Sequence, residues 1–462
     1  MRRKESNMTL SEYINNVKDK RITVIGIGVS NIPLIKKLAE NGCNVTACDR
    51  RAKSDVAVAG ELEALGVTLS LGESYLDNIN ADIIFRTPGI RPDLPQIEKA
   101  VKAGAELTSE MEVFFKVCPC TIIGITGSDG KTTTTTLISE LLKAEGKTVH
   151  IGGNIGTPLL CSADEMGKDD IAVVELSSFQ LMTMKQGADM AVVTNLSPNH
   201  LDVHKSMEEY TDAKRNICIG NNMTVLNLDN GLTAGFADAL TGKIRYFSMK
   251  QPVSNGVYCE DEKLYAVKDG KAEYILDTGD IKIPGRHNIE NYMAAYAMVM
   301  DFVSVETLTK VAREFGGVAH RIEFVRELNG VKYYNDSIAS SPSRTIAGLK
   351  SFSQKLILIA GGKDKGVPFD ELGEEIVQRV KKLVVTGYTK EKIYDAVVKA
   401  KGYNGVPEIH VIEDFKEAVL KAREIADEGD IVILSPACTS FDKFKNFEER
   451  GNTFKRIVAE ME

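Results

Sequence analysis

Thr126-Gly127-Ser128-Asp129-Gly130-Lys131-Thr132-Thr133 is the stretch that decides how this chain folds. An apolar run, Ile122 to Ile125, leads into it, and a segment of helical character, Thr133 to Ala144, leaves it. Strand, glycine loop, Lys-Thr and helix in that order lay out a phosphate-binding loop. The glycines let backbone N–H groups close around phosphate oxygens, and the helix N-terminus adds partial positive charge. In such a loop Gly127, Ser128, Asp129, Gly130 and Thr133 surround the phosphates. Lys131 reaches the terminal phosphates and the Thr132 hydroxyl ligates Mg²⁺. The strict G-x-x-x-x-G-K-[ST] spacing fails at one place, where Ile125 stands for the first glycine. A Gly-rich turn before an ordinary helix is the plainer alternative. The run of threonines, mediocre helix formers, leaves it open.

Working outward, Ile171 to Val174 is a strand that ends in Glu175. A carboxylate there can hold Mg²⁺ beside the loop, with Thr132 and phosphate oxygens completing a hard-oxygen set; a strand-end glutamate facing water is the alternative. Before it comes Ile151-Gly-Gly-Asn154-Ile-Gly156, and after it Leu-Ser177-Ser-Phe-Gln180, rich in amide and hydroxyl groups. The strand Met190 to Thr194 exits into a polar loop holding His200 with Asn199 and Asp202. A histidine in such a loop is more commonly plain surface than a ligand. Alternating strands and helices imply a parallel sheet, with ligands gathered at its C-terminal strand ends. From about 224 to 283 the short β-like runs read as an antiparallel excursion at the sheet edge.

Upstream, Arg21 to Ile25 meets the turn Gly26-Ile-Gly28-Val-Ser30-Asn31, a helix over Pro33 to Glu40 follows, and Asn44 to Cys48 makes a second strand ending at Asp49. This is one β-α-β unit of Rossmann type, with Asn31 at the third glycine position, which weakens an NAD reading. Asp49 either reads a nucleotide or caps a turn. Downstream, strands at 331–334, 355–359, 382–385 and 431–434 alternate with helical segments. The expected fold class is α/β in three domains: a Rossmann-like domain at 1–118, a phosphate-loop ATPase domain with a parallel sheet at 119–317, and a Rossmann-like domain at 318–462.

Of the 462 residues, 43% are hydrophobic and 26% charged, ordinary for a globular protein. No long uncharged apolar stretch and no signal-like N-terminus is visible, so no membrane span is expected. Eight cysteines show no disulfide or metal spacing, and Cys118 and Cys120 lack a partner pair, which suggests a reduced, cytoplasmic setting. A net charge of −8 disfavours a nucleic-acid partner.

Taken in order, the phosphate loop, Gly152-Gly-Asn-Ile-Gly156, Glu175 to Gln180, His287-Asn288-x-x-Asn291, His320-Arg321 and Asn335-Asp336-Ser337 resemble the Mur ligases of peptidoglycan synthesis. Leu434-Ser-Pro-Ala-Cys438, Phe444-Lys-Asn-Phe447 and Arg450-Gly-Asn452 are similar to the members that add D-glutamate. The resemblance implies an ATP-dependent amide ligase acting on UDP-N-acetylmuramoyl-L-alanine and D-glutamate through an acyl phosphate, and a monomer is the expected state. By it, Ser30, Asp49, Arg51 and Thr87 line the UDP site, and Asn154, Ser177 and Gln180 hold the sugar-peptide portion. Asn288, Asn291, Arg321 and Asp336 contact ATP, and Lys363, Ser440, Phe441 and Phe447 surround D-glutamate. Lys131, His200 and Lys214 are the implied catalytic set. Two Mg²⁺ ions are implied, held by Thr132 and Glu175 and by His200 and Lys214, the latter as a carbamate. On the residues alone, Asn288 reads as a helix cap and Arg321 as a surface ion pair. Two positions depart from the pattern: Ile338 stands where relatives have Lys, with Arg344 nearby, and Asn199 where they have Asp. Three other readings remain open: a different ligase of the superfamily such as a folate polyglutamate ligase, a nucleotide-dependent switch, and an NAD oxidoreductase. The switch lacks an Asn-Lys-x-Asp signature.

Overall fold

Several strands of this chain are buried at every residue, among them Ile83–Arg86, Ile171–Glu175, Met190–Val193 and Ile431–Leu434. Strands covered on both faces belong to parallel sheets flanked by helices, so continuous apolar runs rather than alternation mark the sheet centres. The computed structural model describes residues 8–201, 203–364 and 366–462. Asp202, singled out beside His200, lies outside them.

The first sheet is built from β1 (Arg21–Ile25), β2 (Asn44–Asp49), β3 (Thr68–Leu71), β4 (Ile83–Arg86) and β5 (Glu106–Thr108). All pair in parallel, in the order β3-β2-β1-β4-β5. The order reverses between β1 and β4, the switch point at which such sheets open a crevice. Asn31, the residue that broke the glycine fingerprint, is buried; its Nδ2 donates to the carbonyls of Ile25 (3.2 Å) and Gly26 (2.9 Å). The amide thus ties the glycine turn to the start of the helix Asn31–Glu40.

The second sheet contains β6 (Thr121–Thr126), β7 (Val149–Gly153), β8 (Ile171–Glu175), β9 (Met190–Val193), β10 (Met223–Asn227), β11 (Lys243–Ser248), β12 (Gly256–Glu260), β13 (Lys263–Lys268) and β14 (Lys271–Asp277), in the order β14-β13-β12-β11-β10-β9-β6-β8-β7. The antiparallel excursion expected from residue 224 is shorter than read: β10, β11 and β12 continue the parallel sheet, and only β12-β13-β14 is antiparallel. Turn chemistry explains the difference. Asp261-Glu262 and Asp269-Gly270 carry positive φ at both loop positions, as two-residue hairpin turns require. Between β10 and β11 the chain instead forms the short helix Gly231–Ala234, a crossover that permits parallel pairing. One apolar core runs through the layers of both sheets, from Leu34 and Ile35 through Phe114 to Val174, Val193 and Leu226.

The third sheet holds β15 (Glu323–Leu328), β16 (Val331–Asn335), β17 (Leu356–Gly361), β18 (Val380–Thr386), β19 (Glu408–Val411) and β20 (Ile431–Leu434), ordered β15-β16-β20-β17-β18-β19. Only the edge pair β15–β16 is antiparallel. Its two faces carry separate cores, one around Leu358, Ile376 and Val397, the other around Val384, Val419 and Phe454.

By their contacts the residues form two compact units: the chain through Thr278 with Glu290–Val311, and Gly279–Ile289 with Ala312–Glu462. The helix Arg286–Val299 begins in the second and continues in the first. Among the described residues no helix is long and apolar enough to cross a membrane.

Candidate active site

β6 ends at Thr126 and the helix Lys131–Ala144 begins at Lys131, with Gly130 as a left-handed N-cap at φ +78. Both loop glycines are forced by their surroundings. A Cβ on Gly127, at φ +148, would lie 1.9 Å from Thr194 Oγ1, and one on Gly130 2.3 Å from Asn291 Oδ1. The loop is latched by the segment after β9: Ser128 N donates to Asn195 O (2.8 Å), Asp129 N to Asn195 Oδ1 (2.9 Å), and Thr194 Oγ1 to Asp129 O (2.6 Å). Two loop amides expected to face phosphate are therefore engaged within the chain, and the first helical turn carries the outward-facing donors. The Ser128 hydroxyl is likewise internal, bonded to Tyr210 OH (2.9 Å) and accepting from Ser197 N (2.9 Å). Lys131 folds over the loop, its Nζ donating to Gly127 O (2.9 Å) and Ser128 O (2.8 Å). Thr132 is half-buried and Thr133 buried. Within the threonine run, Thr136 Oγ1 donates to Thr132 O (2.9 Å), whereas Thr135 Oγ1 is buried with no hydrogen-bond partner among the described residues.

Glu175 closes β8 and is 1% exposed. Asn154 Nδ2 donates to its Oε1 (2.9 Å), while Oε2 is buried without a hydrogen-bond partner among the described residues. A buried carboxylate oxygen with no donor is the condition a cation satisfies, so Thr132 and Glu175 fit a Mg²⁺ ion at the loop. No group of three or more His, Cys, Asp and Glu side chains forms a metal site among the described residues.

Lys214 sits on the helix Met207–Arg215 and is 2% exposed. It is no surface lysine: Nζ donates to Gly127 O (2.8 Å) and Thr126 Oγ1 (3.2 Å) and lies 4.9 Å over the Tyr210 ring. Glu209 and Asp212, the nearby carboxylates of the same helix, bond Arg91 and Arg215. Burial, reinforced by the Lys131 charge, pushes the Lys214 ammonium well below its ordinary range. His200 is exposed, at φ +55, with its ring edge-on to Phe179 at 5.2 Å. Sequence reasoning missed His204, fully buried, stacked on Phe179 and 2.9 Å from Ser178 Oγ, with burial lowering its pKa. It also missed Tyr210, whose i,i+4 spacing from Lys214 on one helix face was the available signal.

In the first sheet the predicted UDP residues gather at the C-terminal strand ends. Asp49 accepts from Ile27 N (2.9 Å) and pairs with Arg51 (2.9 Å), whose guanidinium also reaches Ile27 O (2.7 Å). That guanidinium holds the Asp49 carboxyl down at about 2. Ser30 occupies the N-cap position of its helix without making a cap bond, and Thr87 abuts Gly26, at φ +93. Ser177 and Gln180 form a capping box: Gln180 N donates to Ser177 Oγ (3.2 Å) and Ser177 N to Gln180 Oε1 (2.9 Å). Asn291 accepts from Thr134 Oγ1 (3.3 Å) against the loop.

In the second unit Asn288 Nδ2 donates to Pro284 O (2.6 Å), a local bond near the helix start. Arg321 lies half-buried between His320 and Ile322, both at positive φ. Asp336 is 4% exposed; it accepts from Ser435 Oγ (2.7 Å) and Ile322 N (3.3 Å), and burial raises its pKa to about 7. At the departure from the family pattern, Arg344 Nη1 donates to Ile338 O (3.3 Å), which puts a cation on that turn. Lys363 is exposed and its backbone pairs with Thr439, next to buried Ser440. Phe441 is exposed, and Phe447 sits edge-on to His320 at 5.8 Å.

A parallel sheet with this loop, its lysines and its strand-end carboxylate defines a phosphate-loop nucleotide-binding α/β protein. Family models match three stretches: the Mur ligase MurD-like N-terminal domain at 20–109, the Mur ligase middle domain at 125–299 and the Mur ligase glutamate ligase domain at 320–438. The chain belongs to the Mur ligase family. A UDP-N-acetylmuramoylalanine--D-glutamate ligase of Ruminiclostridium cellulolyticum is 52% identical, covering 98% of this chain and 99% of its own. One from Clostridium novyi is 51% identical over 97% and 99%. Among solved structures, the UDP-N-acetylmuramate-alanine ligase of Thermotoga maritima shares the fold at TM-score 0.56 and 19% identity, covering 96% of this chain and 100% of that one. A UDP-N-acetylmuramoyl-L-alanyl-D-glutamate--2,6-diaminopimelate ligase does so at TM-score 0.57 and 19% identity, over 96% and 93%.

Proposed function

We propose that this chain is a cytoplasmic, monomeric, ATP-dependent ligase that joins D-glutamate to UDP-N-acetylmuramoyl-L-alanine. The observation that carries the reading is the loop Gly127–Thr132 together with Glu175, whose Oε2 has no partner among the described residues, in a chain that matches ligases of that name over 98% of its length. In this reading residues 1–118 bind the UDP moiety through Ser30, Asp49, Arg51 and Thr87. Residues 119–317 bind ATP on the phosphate loop, with Asn154, Ser177 and Gln180 toward the sugar-peptide. Residues 318–462 bring Lys363, Ser440, Phe441 and Phe447 to D-glutamate, while Asn288, Asn291, Arg321 and Asp336 contact ATP.

A carboxylate is a poor electrophile, so the reaction runs in two steps. A carboxylate oxygen of the alanine attacks the ATP γ-phosphorus and ADP leaves. The D-glutamate amine then attacks the acyl carbon, phosphate departs, and the amine loses a proton. Lys131, whose Nζ lies over the loop on the Gly127 and Ser128 carbonyls, would turn to the transferring phosphoryl group and offset its charge. The first-turn amides of the helix Lys131–Ala144 orient the phosphates. Thr132 and Glu175 would hold one Mg²⁺, and Lys214 as a carbamate with His200 a second; bound there, the ions would supply charge neutralisation at the phosphates. Carbamylation consumes a neutral amine, the form that burial favours at Lys214.

The test is phosphate release from ATP with UDP-N-acetylmuramoyl-L-alanine, scanned across amino acids of both hands. Release should need the UDP-sugar and D-glutamate together. Equal turnover with L-glutamate or L-alanine removes the assignment.

A further inference from the structure

The last residue of β4, Arg86, is 2% exposed; among the described residues its Nη1 and Nη2 bond carbonyls and one hydroxyl rather than a carboxylate, and its Nε is buried with no hydrogen-bond partner. A guanidinium withdrawn from water in this way is expensive unless its donors are used. Nη1 donates to the carbonyls of Thr87 (3.3 Å), Pro88 (3.2 Å) and Ile90 (2.6 Å), all in the turn that follows β4. Nη2 turns the other way, to Phe179 O (2.9 Å) and Thr183 Oγ1 (3.2 Å), on and just beyond the helix Ser178–Leu181. Glu112, whose Oε2 accepts from the same Thr183 hydroxyl (3.3 Å), supplies the nearby negative charge. One planar fork therefore ties two segments far apart in sequence: the turn that begins at Thr87, and the helix whose capping box is Ser177 and Gln180. Arginine suits this task because its donors diverge from a rigid plane; a lysine carries a single point of attachment.

We infer that Arg86 is a positioning residue that holds the UDP-binding turn and the sugar-peptide-binding helix in fixed register, so that one substrate molecule is gripped at both ends at once. The inference rests on the function proposed above. A ligand bound through two linked subsites loses affinity when their spacing drifts, even though each subsite alone still binds. Arg86 touches neither end of the substrate itself; it acts through Thr87 and through the helix.

Calorimetry on the full chain separates the effects. UDP alone reports the first subsite, and UDP-N-acetylmuramoyl-L-alanine reports both. In Arg86→Met the whole substrate should weaken by about tenfold or more beyond any weakening of UDP, the usual cost of misregistered linked sites. Thr183→Val leaves Arg86 in place and removes one cross-tie. It should move the same ratio by a smaller factor, about threefold or more, because the charge-assisted bond to Thr183 is lost while Nη2 keeps its bond to Phe179 O. Steady-state kinetics should show the loss in KM for the UDP-sugar while KM for ATP is unchanged. Should Arg86→Met fail to fold, Thr183→Val decides alone. Equal weakening of UDP and whole substrate, or an unchanged ratio in Thr183→Val, overturns the inference. A wild-type protein that binds neither ligand instead overturns the function on which it rests.

Discussion

Replacing Gly127 by Ala tests the loop most directly, because the structure fixes both the cost and its remedy. At φ +148 an L side chain is strained by about 1–3 kcal/mol. The added Cβ would also fall 1.9 Å from Thr194 Oγ1, an atom that holds Asp129 O at 2.6 Å. Displacing that hydroxyl forfeits the bond, about 1 kcal/mol more. Gly127→Ala should therefore cost about 2–4 kcal/mol, or about 30- to 1,000-fold in kcat/KM for ATP if the loss falls on phosphate binding. Thr194→Ala alone loses the same hydrogen bond, about 1 kcal/mol. In the double variant the bond is lost only once, and the next contacts, Thr194 Cβ at 3.1 Å and Asn195 N at 3.2 Å, are tight but tolerable. The two changes should then be less than additive by about 1 kcal/mol. The assay is a double-mutant cycle on kcat/KM for ATP, with melting temperatures run alongside. Strict additivity, or a Gly127→Ala enzyme of wild-type efficiency, refutes the argument that Thr194 shapes the loop.

Two further outcomes follow from buried charges. Lys214→Ala should lose most activity, removing CO₂ should slow the wild type, and formate or acetate should partly restore the variant by supplying the missing oxygens; a fully active Lys214→Ala enzyme eliminates the carbamate. Glu110 is buried, accepts from Leu160 N at 3.1 Å, and burial raises its pKa from 4.5 to about 7. The folded state therefore binds this proton more tightly than the unfolded chain. The stability it contributes is complete below about pH 4.5 and is lost as pH rises through about 7, on the order of 3 kcal/mol in all. Glu110→Gln should melt increasingly above the wild type across that window, and parallel melting profiles would contradict the sign.

What was legible in the sequence was local. The phosphate loop follows from a strand, two glycines and a helix within one short stretch. The strand-end placement of Asp49 and Glu175 follows from the apolar runs before them. The hairpins β12–β13 and β13–β14 were legible in kind, though not where they begin, because β10 and β11 look the same in composition whether they pair parallel or antiparallel. Illegible were side-chain partners distant along the chain. The Ser128 hydroxyl faces Tyr210 and Ser197 rather than solvent, and nothing near Ser128 in sequence says so. Asp336 follows a strand like any exposed turn aspartate, yet Ser435 and Ile322 bury it. Ser177 and Gln180 show the opposite case: Ser-x-x-Gln is a visible capping signature, and the structure uses their polar groups to start a helix.

The helix Arg286–Val299 has a bearing on how the protein is made. Its first residues belong to the second compact unit and the rest to the first, and the chain does not leave the first unit for good until Val311. On the ribosome, Gly279–Ile289 emerges before any of its own unit's strands exist, whereas the first unit can complete itself as soon as Val311 is out. Synthesis order thus sets folding order, with the early segment waiting, unsatisfied, for β15 to β20. A truncation after Val311 should yield a folded first unit trailing an orphan loop, whereas a fragment starting at Ala312 would lack the first piece of its own unit.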